Sequence, residues 1–183
     1  QDSTPRITNG AASRIAPVAL MYHDDMGVLE EKLYASATVT HTHPVAIVGA
    51  LLQGFALARV MGEGLKAGFA PHQFADKLIE DARRLEEKYF REDVRIQEAI
   101  YSEKLRIMKQ LLERDNVSPE EVIEKLGNGF TAQDSVVTSI YAFLRYPYSF
   151  RDAVTYAVNL GGDADTLGAM TGALSGAFLG RSA

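Results

Sequence analysis

The sequence predicts an all-α protein. Apolar residues recur with the helical period of about 3.6 residues nearly throughout, and no convincing strand alternation appears. Helix-start signals stand directly before periodic runs: Ser118-Pro119-Glu120-Glu121, and Ser149 with Asp152 three residues on. Small residues repeat every four positions in the last stretch, as Gly168, Gly172, Gly176 and Gly180 beside Ala169, Ala173 and Ala177. The expected architecture is a compact orthogonal helical bundle.

The elements follow in order. Residues 28–40 open with acidic side chains, which suit the positive end of a helix. His43-Pro44 starts the next helix, because proline is tolerated in a first turn. From Val45 to Met61 apolar residues surround the helix, so it should lie buried at the centre. That run is just long enough to suggest a membrane span, but Gln53, Arg59 and the lack of an aromatic belt argue for a core helix and no membrane partner. "GEGLKAGFAP" is a turn cluster. Residues 73–114 are charge-rich, with Leu78, Ala82, Leu85 and Tyr89 on one apolar stripe and Leu105, Met108 and Leu112 on another. Ser118 opens a short helix ending near Leu126, and "GNG" at 127–129 breaks the chain. A helix resumes over 132–145 through Val136, Val137, Ile140, Tyr141 and Leu144, and Ser149 starts another running to about Asn159. The glycine and alanine face of the last helix lets a neighbour approach closely, although each glycine costs about 1 kcal/mol of helix propensity. No internal repeat or linker divides the chain.

The 183 residues suit one domain, and 46% hydrophobic with 23% charged residues is a soluble globular balance. A net charge of −5 argues against a large phosphate-backbone footprint, so no nucleic-acid partner is expected. The chain has no cysteine, which excludes disulfides, thiolate metal sites and cysteine nucleophiles. That is compatible with the cytoplasm or another reducing compartment. "QDSTPRITNGAASR" lacks the apolar core of a signal peptide and an initiator Met, and it reads as a cut or processed end.

Chemistry concentrates in "NLGGDADTLGAMTGALSGAFLG" (159–180). Asp163 and Asp165 bracket one small residue, Thr166 follows, and Gly161 and Gly162 permit a sharp turn before them. Three oxygen donors this close suit Mg²⁺ or a similar hard cation. They equally suit a helix start, with Asp165 or Thr166 as N-cap. Spacing alone leaves both readings open. Asp24 and Asp25 in "HDDMG" read as a solvated turn.

This stretch resembles the C-terminal signature of the ADP-ribosylglycohydrolase family, which has an all-α fold and a two-magnesium centre. The resemblance implies that Asp163, Asp165 and Thr166 are metal ligands. "TNGAASRIAPVAL" (8–20) resembles the family's substrate loop, G-N-G-A-x-M-R. It implies that backbone amides around Asn9, Gly10 and Ala11 cradle the diphosphate or distal ribose, as successive amides bind anions. Ser13 replaces the usual Met, the residues before Asn9 depart from the pattern, and Arg14 is either a phosphate ligand or a structural ion-pair residue. "SATVTHTHP" (36–44) resembles the small-x-x-Thr-His segment, which implies that His41 faces ADP-ribose and that His43 is a solvated or capping neighbour. "LGNGFTAQDSVVTSIYAFLR" (126–145) resembles the branch acting on serine-linked and polymeric ADP-ribose. It implies that Asn128 and Phe130 line the adenosine side of the groove and that Asp134 is a first-turn helix acid.

The resemblance runs through the whole chain but matches only about the C-terminal half of the family's domain. The other half, in cis or as a second chain, normally supplies the remaining metal ligands and a mobile catalytic glutamate. Neither is assignable here, so the catalytic residue is unknown. Residues 1–183 alone are expected to be inactive and to bind Mg²⁺ weakly. The function implied for the complete site is magnesium-dependent release of ADP-ribose from an O-linked acceptor, serine on a protein or poly-ADP-ribose. The alternative is a non-enzymatic ADP-ribose-binding pseudoenzyme or a crystallin-like structural relative.

Overall fold

The computed structural model describes residues 7–63, 68–91, 93, 96 and 100–180. Among them run α1 (Gly10–Ser13), α2 (Ala16–Tyr22), α3 (Met26–Thr38), α4 (Pro44–Glu63) and α5 (Pro71–Phe90). α6 (Tyr101–Leu112), α7 (Pro119–Leu126), α8 (Ala132–Arg145), α9 (Phe150–Asn159) and α10 (Ala164–Leu179) complete them. The all-α class is what the periodicity predicts. An isolated antiparallel bridge joins Thr8 to Thr131.

The apolar circumference of α4 places it at the centre. Every residue from Val45 to Ala58 is buried, and α4 touches α1, α2, α3, α5, α8 and α10. Its length and composition would let it cross a membrane, yet 83% of its most apolar window is buried inside this bundle. Two of its polar side chains reach partners on neighbouring helices, although the buried Gln53 Oε1 has none among the described residues. Arg59 grips Asp81 of α5 through Nε and Nη2 at 2.7 and 2.9 Å, and Gln53 Nε2 donates to Met170 O at 3.3 Å. Tyr101 of α6 lies against Gly49. A Cβ there would lie 2.4 Å from the Tyr101 hydroxyl, which donates to Val45 O at 2.7 Å.

The charged stretch divides into α5 and α6, with Leu78, Ala82, Leu85, Leu105 and Met108 buried and Tyr89 and Leu112 half-buried. Glu86 of α5 caps α6, because one carboxylate oxygen accepts from the amides of Ile100, Tyr101 and Ser102 at 2.7, 2.5 and 3.2 Å. Ser118 and Ser149 cap α7 and α9 as expected, each accepting an amide three residues on at 3.2 Å. Glu121 does not look back to its cap; its carboxylate takes two nitrogens of Arg114 at 2.5 and 3.0 Å. The small face of α10 packs on α9, where Val158 lies 2.9 Å from a Cβ built on Gly168. Gly180 leaves that face and ends the helix at φ +68°.

Three expectations need correction. Asp25 is the N-cap of α3, accepting from Gly27 and Val28 amides at 2.9 and 3.1 Å, so α3 starts earlier than residue 28. Residues 8–20 hold α1 and the first five residues of α2 where a loop is expected. α5 starts at Pro71, using the first-turn tolerance of proline. The "GEGLKAGFAP" turn lies partly outside the described residues, at 64–67, as does the N-terminal run 1–6.

Glu30, buried on α3, accepts from Arg84 at 2.6 Å, Lys88 at 2.8 Å and Tyr89 at 3.1 Å on α5. Burial alone would raise its pKa, but Lys88 and Arg84 outweigh burial and hold it below the usual carboxylate range. A lowered folded-state pKa gives stability that is complete above the unfolded value and lost as pH falls through the folded one. Glu30→Gln is therefore expected to lower the Tm by roughly 3 °C at pH 7. In thermal melts the gap to the parent should close as pH falls below the carboxylate range, and a gap that persists in acid would exclude the ion pair as its cause.

Candidate functional site

The site grows from two loops that pair. Ala132 N donates to Ile7 O at 2.9 Å and Asn9 N to Phe130 O at 3.0 Å, around the Thr8–Thr131 bridge. This joins the start of α1 to the start of α8. The "GNG" loop is held from beneath. Gly127 ends α7 at φ +82°, Thr138 Oγ1 donates to its carbonyl at 2.6 Å, and Lys104 Nζ donates to Leu126 O at 2.9 Å. Lys104 also meets Asp134 Oδ1 at 2.5 Å, while Thr131 Oγ1 donates to Asp134 Oδ2 at 2.7 Å. Asp134 is thus a first-turn acid of α8 that fastens the loop.

The aspartate turn sits on that loop. Asn128 clamps it from both sides: its carbonyl accepts Asp163 N at 2.9 Å and its Nδ2 donates to Leu160 O at 2.8 Å. Gly161 and Gly162 adopt φ of +70° and +63°, and a Cβ on Gly162 would lie 2.2 Å from Asn128 O. Asp163 occupies the N-cap position of α10, yet its side chain makes no capping bond. Its Oδ2 instead accepts Asn9 Nδ2 at 2.6 Å, linking residues 154 positions apart. Asp165 is exposed in the first turn, where its Oδ1 accepts Thr166 N at 3.0 Å.

His41 lies buried beside this junction. Its Nε2 is 2.9 Å from Thr8 Oγ1, its Nδ1 is 2.8 Å from Thr40 Oγ1, and a Cβ on Gly10 would be 3.4 Å from its Cε1. Arg14 reaches across the end of α3, donating to Ser36 O at 3.0 Å and to Thr40 Oγ1 at 2.6 Å. These partners are hydroxyl and carbonyl groups and not the carboxylate of an ion pair. His43 is buried rather than solvated, and its Nδ1 accepts Val45 N at 3.3 Å in the first turn of α4.

The fold therefore brings Asn9, Gly10, His41, Asn128 and Asp163 to one place, with Asp165 and Thr166 on the next turn and the Phe130 side chain 67% exposed at the margin. Some roles differ in detail. Asn9 N–H is committed to Phe130 O, so an amide cradle would begin at Gly10, and Ala11 is buried in α1. Asn128 uses its side chain to hold the turn. Among the described residues no three His, Cys, Asp or Glu side chains converge on a metal-sized position. What fits a hard cation is the donor set of one turn: an N-cap carboxylate that does not cap, an exposed carboxylate, and a hydroxyl. Thr8, Lys104 and Thr138 carry no signal by spacing, since their partners lie at least 11 residues away.

A family model described as ADP-ribosylglycohydrolase matches residues 2–183. The chain belongs to the ADP-ribosylglycohydrolase family. It is 34% identical over 185 residues to ADP-ribosylhydrolase ARH3 of Bos taurus, covering 94% of this chain and 50% of that protein. The Homo sapiens ARH3 is 33% identical over 185 residues, with 94% and 50% covered. An uncharacterized protein of Archaeoglobus fulgidus is 33% identical over 171 residues, with 93% and 49% covered. The chain spans about half the length of the curated relatives it matches. Against the ADP-ribosylglycohydrolase loop pattern G-N-G-A-x-M-R, it carries Thr8 in place of the leading glycine.

Proposed function

We propose that these residues form the part of a magnesium-dependent ADP-ribosyl hydrolase that holds the distal end of ADP-ribose and one face of the metal centre. The carrying observation is the Asn9–Asp163 bond, which couples the substrate loop to the aspartate turn. Asp163, Asp165 and Thr166 would hold Mg²⁺, with water and groups from the rest of the family domain filling the coordination sphere. When bound, the metal supplies Lewis-acid stabilisation and lowers the pKa of a bound water.

The chain's own residues orient the substrate. Amides from Gly10 onward face the diphosphate, His41 supports that loop, and exposed Phe130 offers a surface for adenine. In the hydrolysis, water adds to the anomeric carbon, the glycosidic C–O bond breaks, and the acceptor oxygen leaves with a proton. The acid and base for those transfers lie outside the groups assigned here.

The "GNG" loop and its Ser-Val helix favour serine-linked or polymeric ADP-ribose. A protein of the relatives' full length carrying residues 1–183 is expected to release label from serine-linked ADP-ribose at least about tenfold faster than from arginine-linked substrate, a difference worth about 1.4 kcal/mol. Preference for the arginine linkage would overturn the acceptor assignment. Tight ADP-ribose binding with no turnover of either substrate would point to the non-enzymatic reading.

A further inference from the structure

Arg14, Thr40, His41 and Thr8 form a continuous hydrogen-bonded chain that leads to the substrate loop. Donor counting fixes its first link. A guanidinium has only donors, so Thr40 Oγ1 accepts from Arg14 at 2.6 Å. Thr40 keeps one hydrogen and a second lone pair, so it can give that hydrogen to the His41 Nδ1 lone pair 2.8 Å away. With Nδ1 an acceptor, the ring proton of neutral histidine sits on Nε2 and is donated to Thr8 Oγ1 at 2.9 Å. Thr8 accepts there, and its own hydrogen remains for a further acceptor.

We infer that Arg14 and Thr40 are positioning residues that hold His41 in the neutral Nε2–H form, making Thr8 a hydroxyl donor to a phosphate oxygen bound at the loop. The ligand part of this inference rests on the functional reading above; the tautomer does not. Thr8 stands where the family's loop pattern has glycine, so the donor belongs to this chain and not to that pattern. Exposed Arg14 and Thr40 can be changed without opening the core.

The test is side-chain proton–nitrogen correlation spectroscopy of His41 in residues 1–183, above the pH at which the ring is protonated. The parent should show the Nε2–H tautomer. Thr40→Val and Arg14→Met should each raise the Nδ1–H population, and Thr40→Ser, which restores a hydroxyl, should return it to the parent pattern. Calorimetry with ADP-ribose as the probe should show about tenfold weaker binding for Thr8→Val and Thr40→Val, with Thr40→Ser near the parent. A predominantly Nδ1–H parent, or tautomers unmoved in both Thr40→Val and Arg14→Met, would overturn the relay. Failure of the parent to bind ADP-ribose counts against the functional reading, while the spectra still decide the tautomer.

Discussion

Asp163→Ala and Asp165→Ala are each expected to cut magnesium-dependent release of ADP-ribose by about a thousandfold or more, in a protein of the relatives' full length carrying this chain. A bound metal contributes several kcal/mol of charge stabilisation, and each 1.36 kcal/mol is a factor of ten, so about 4 kcal/mol gives that loss. The two variants should differ in a second respect. Asp163 also receives Asn9 Nδ2 at 2.6 Å, so its removal should loosen the substrate loop as well as the metal. Asp165 is exposed, and its contact within the turn is to the Thr166 amide at 3.0 Å. Asp163→Ala should therefore weaken binding of ADP-ribose measured without metal, whereas Asp165→Ala should leave that binding near the parent. Release rates and metal-free titrations check both halves. Full activity in the two variants would end the metal assignment.

The contrast between those aspartates shows what was legible in the sequence. Local chemistry read well: the Ser118 and Ser149 caps, the buried α4 and the stripes of α5 and α6 all follow from neighbours within one or two turns. Short helices read poorly, because four residues in α1 and seven in α2 show too little periodicity to register. Pro17 in the first turn of α2 is the signal that would have found it. Asp25 was legible as polar but not as a cap, since the acidic residues after it drew the helix start too far along.

The site divides the same way. The Asp-x-Asp-Thr turn stands out by residue type, but helix capping and metal binding use the same residues, and spacing cannot separate them. In the fold Asp163 occupies the cap position without capping, because Asn9 turns its carboxylate elsewhere. No pattern within the turn reports a partner 154 residues away. Asn128 is the converse case. Its loop was recognised, yet its amide holds Leu160 O, a backbone interaction invisible to residue type.

That clamp makes Gly162 the position where a single methyl group should do the most structural damage. Gly161 and Gly162 share the left-handed region, at φ +70° and +63°, so alanine at either meets a backbone cost of roughly 1–2 kcal/mol. Their surroundings differ. A Cβ on Gly161 has nothing within 4 Å, whereas one on Gly162 would fall 2.2 Å from Asn128 O and 2.7 Å from its Cγ. The nearer atom is backbone, and it accepts Asp163 N at 2.9 Å, so relief requires the "GNG" loop to part from the aspartate turn. Overpacking of this kind adds about 1–3 kcal/mol. Gly161→Ala is thus expected to lose about 1–2 kcal/mol by chemical denaturation, and Gly162→Ala about 2–5 kcal/mol. Separation of the two segments would also displace Asp163 from Asn9 Nδ2, so ADP-ribose affinity should fall in Gly162→Ala and stay near the parent in Gly161→Ala. Equal losses in the two variants would mean that backbone strain alone acts there and that Asn128 does not press on the turn.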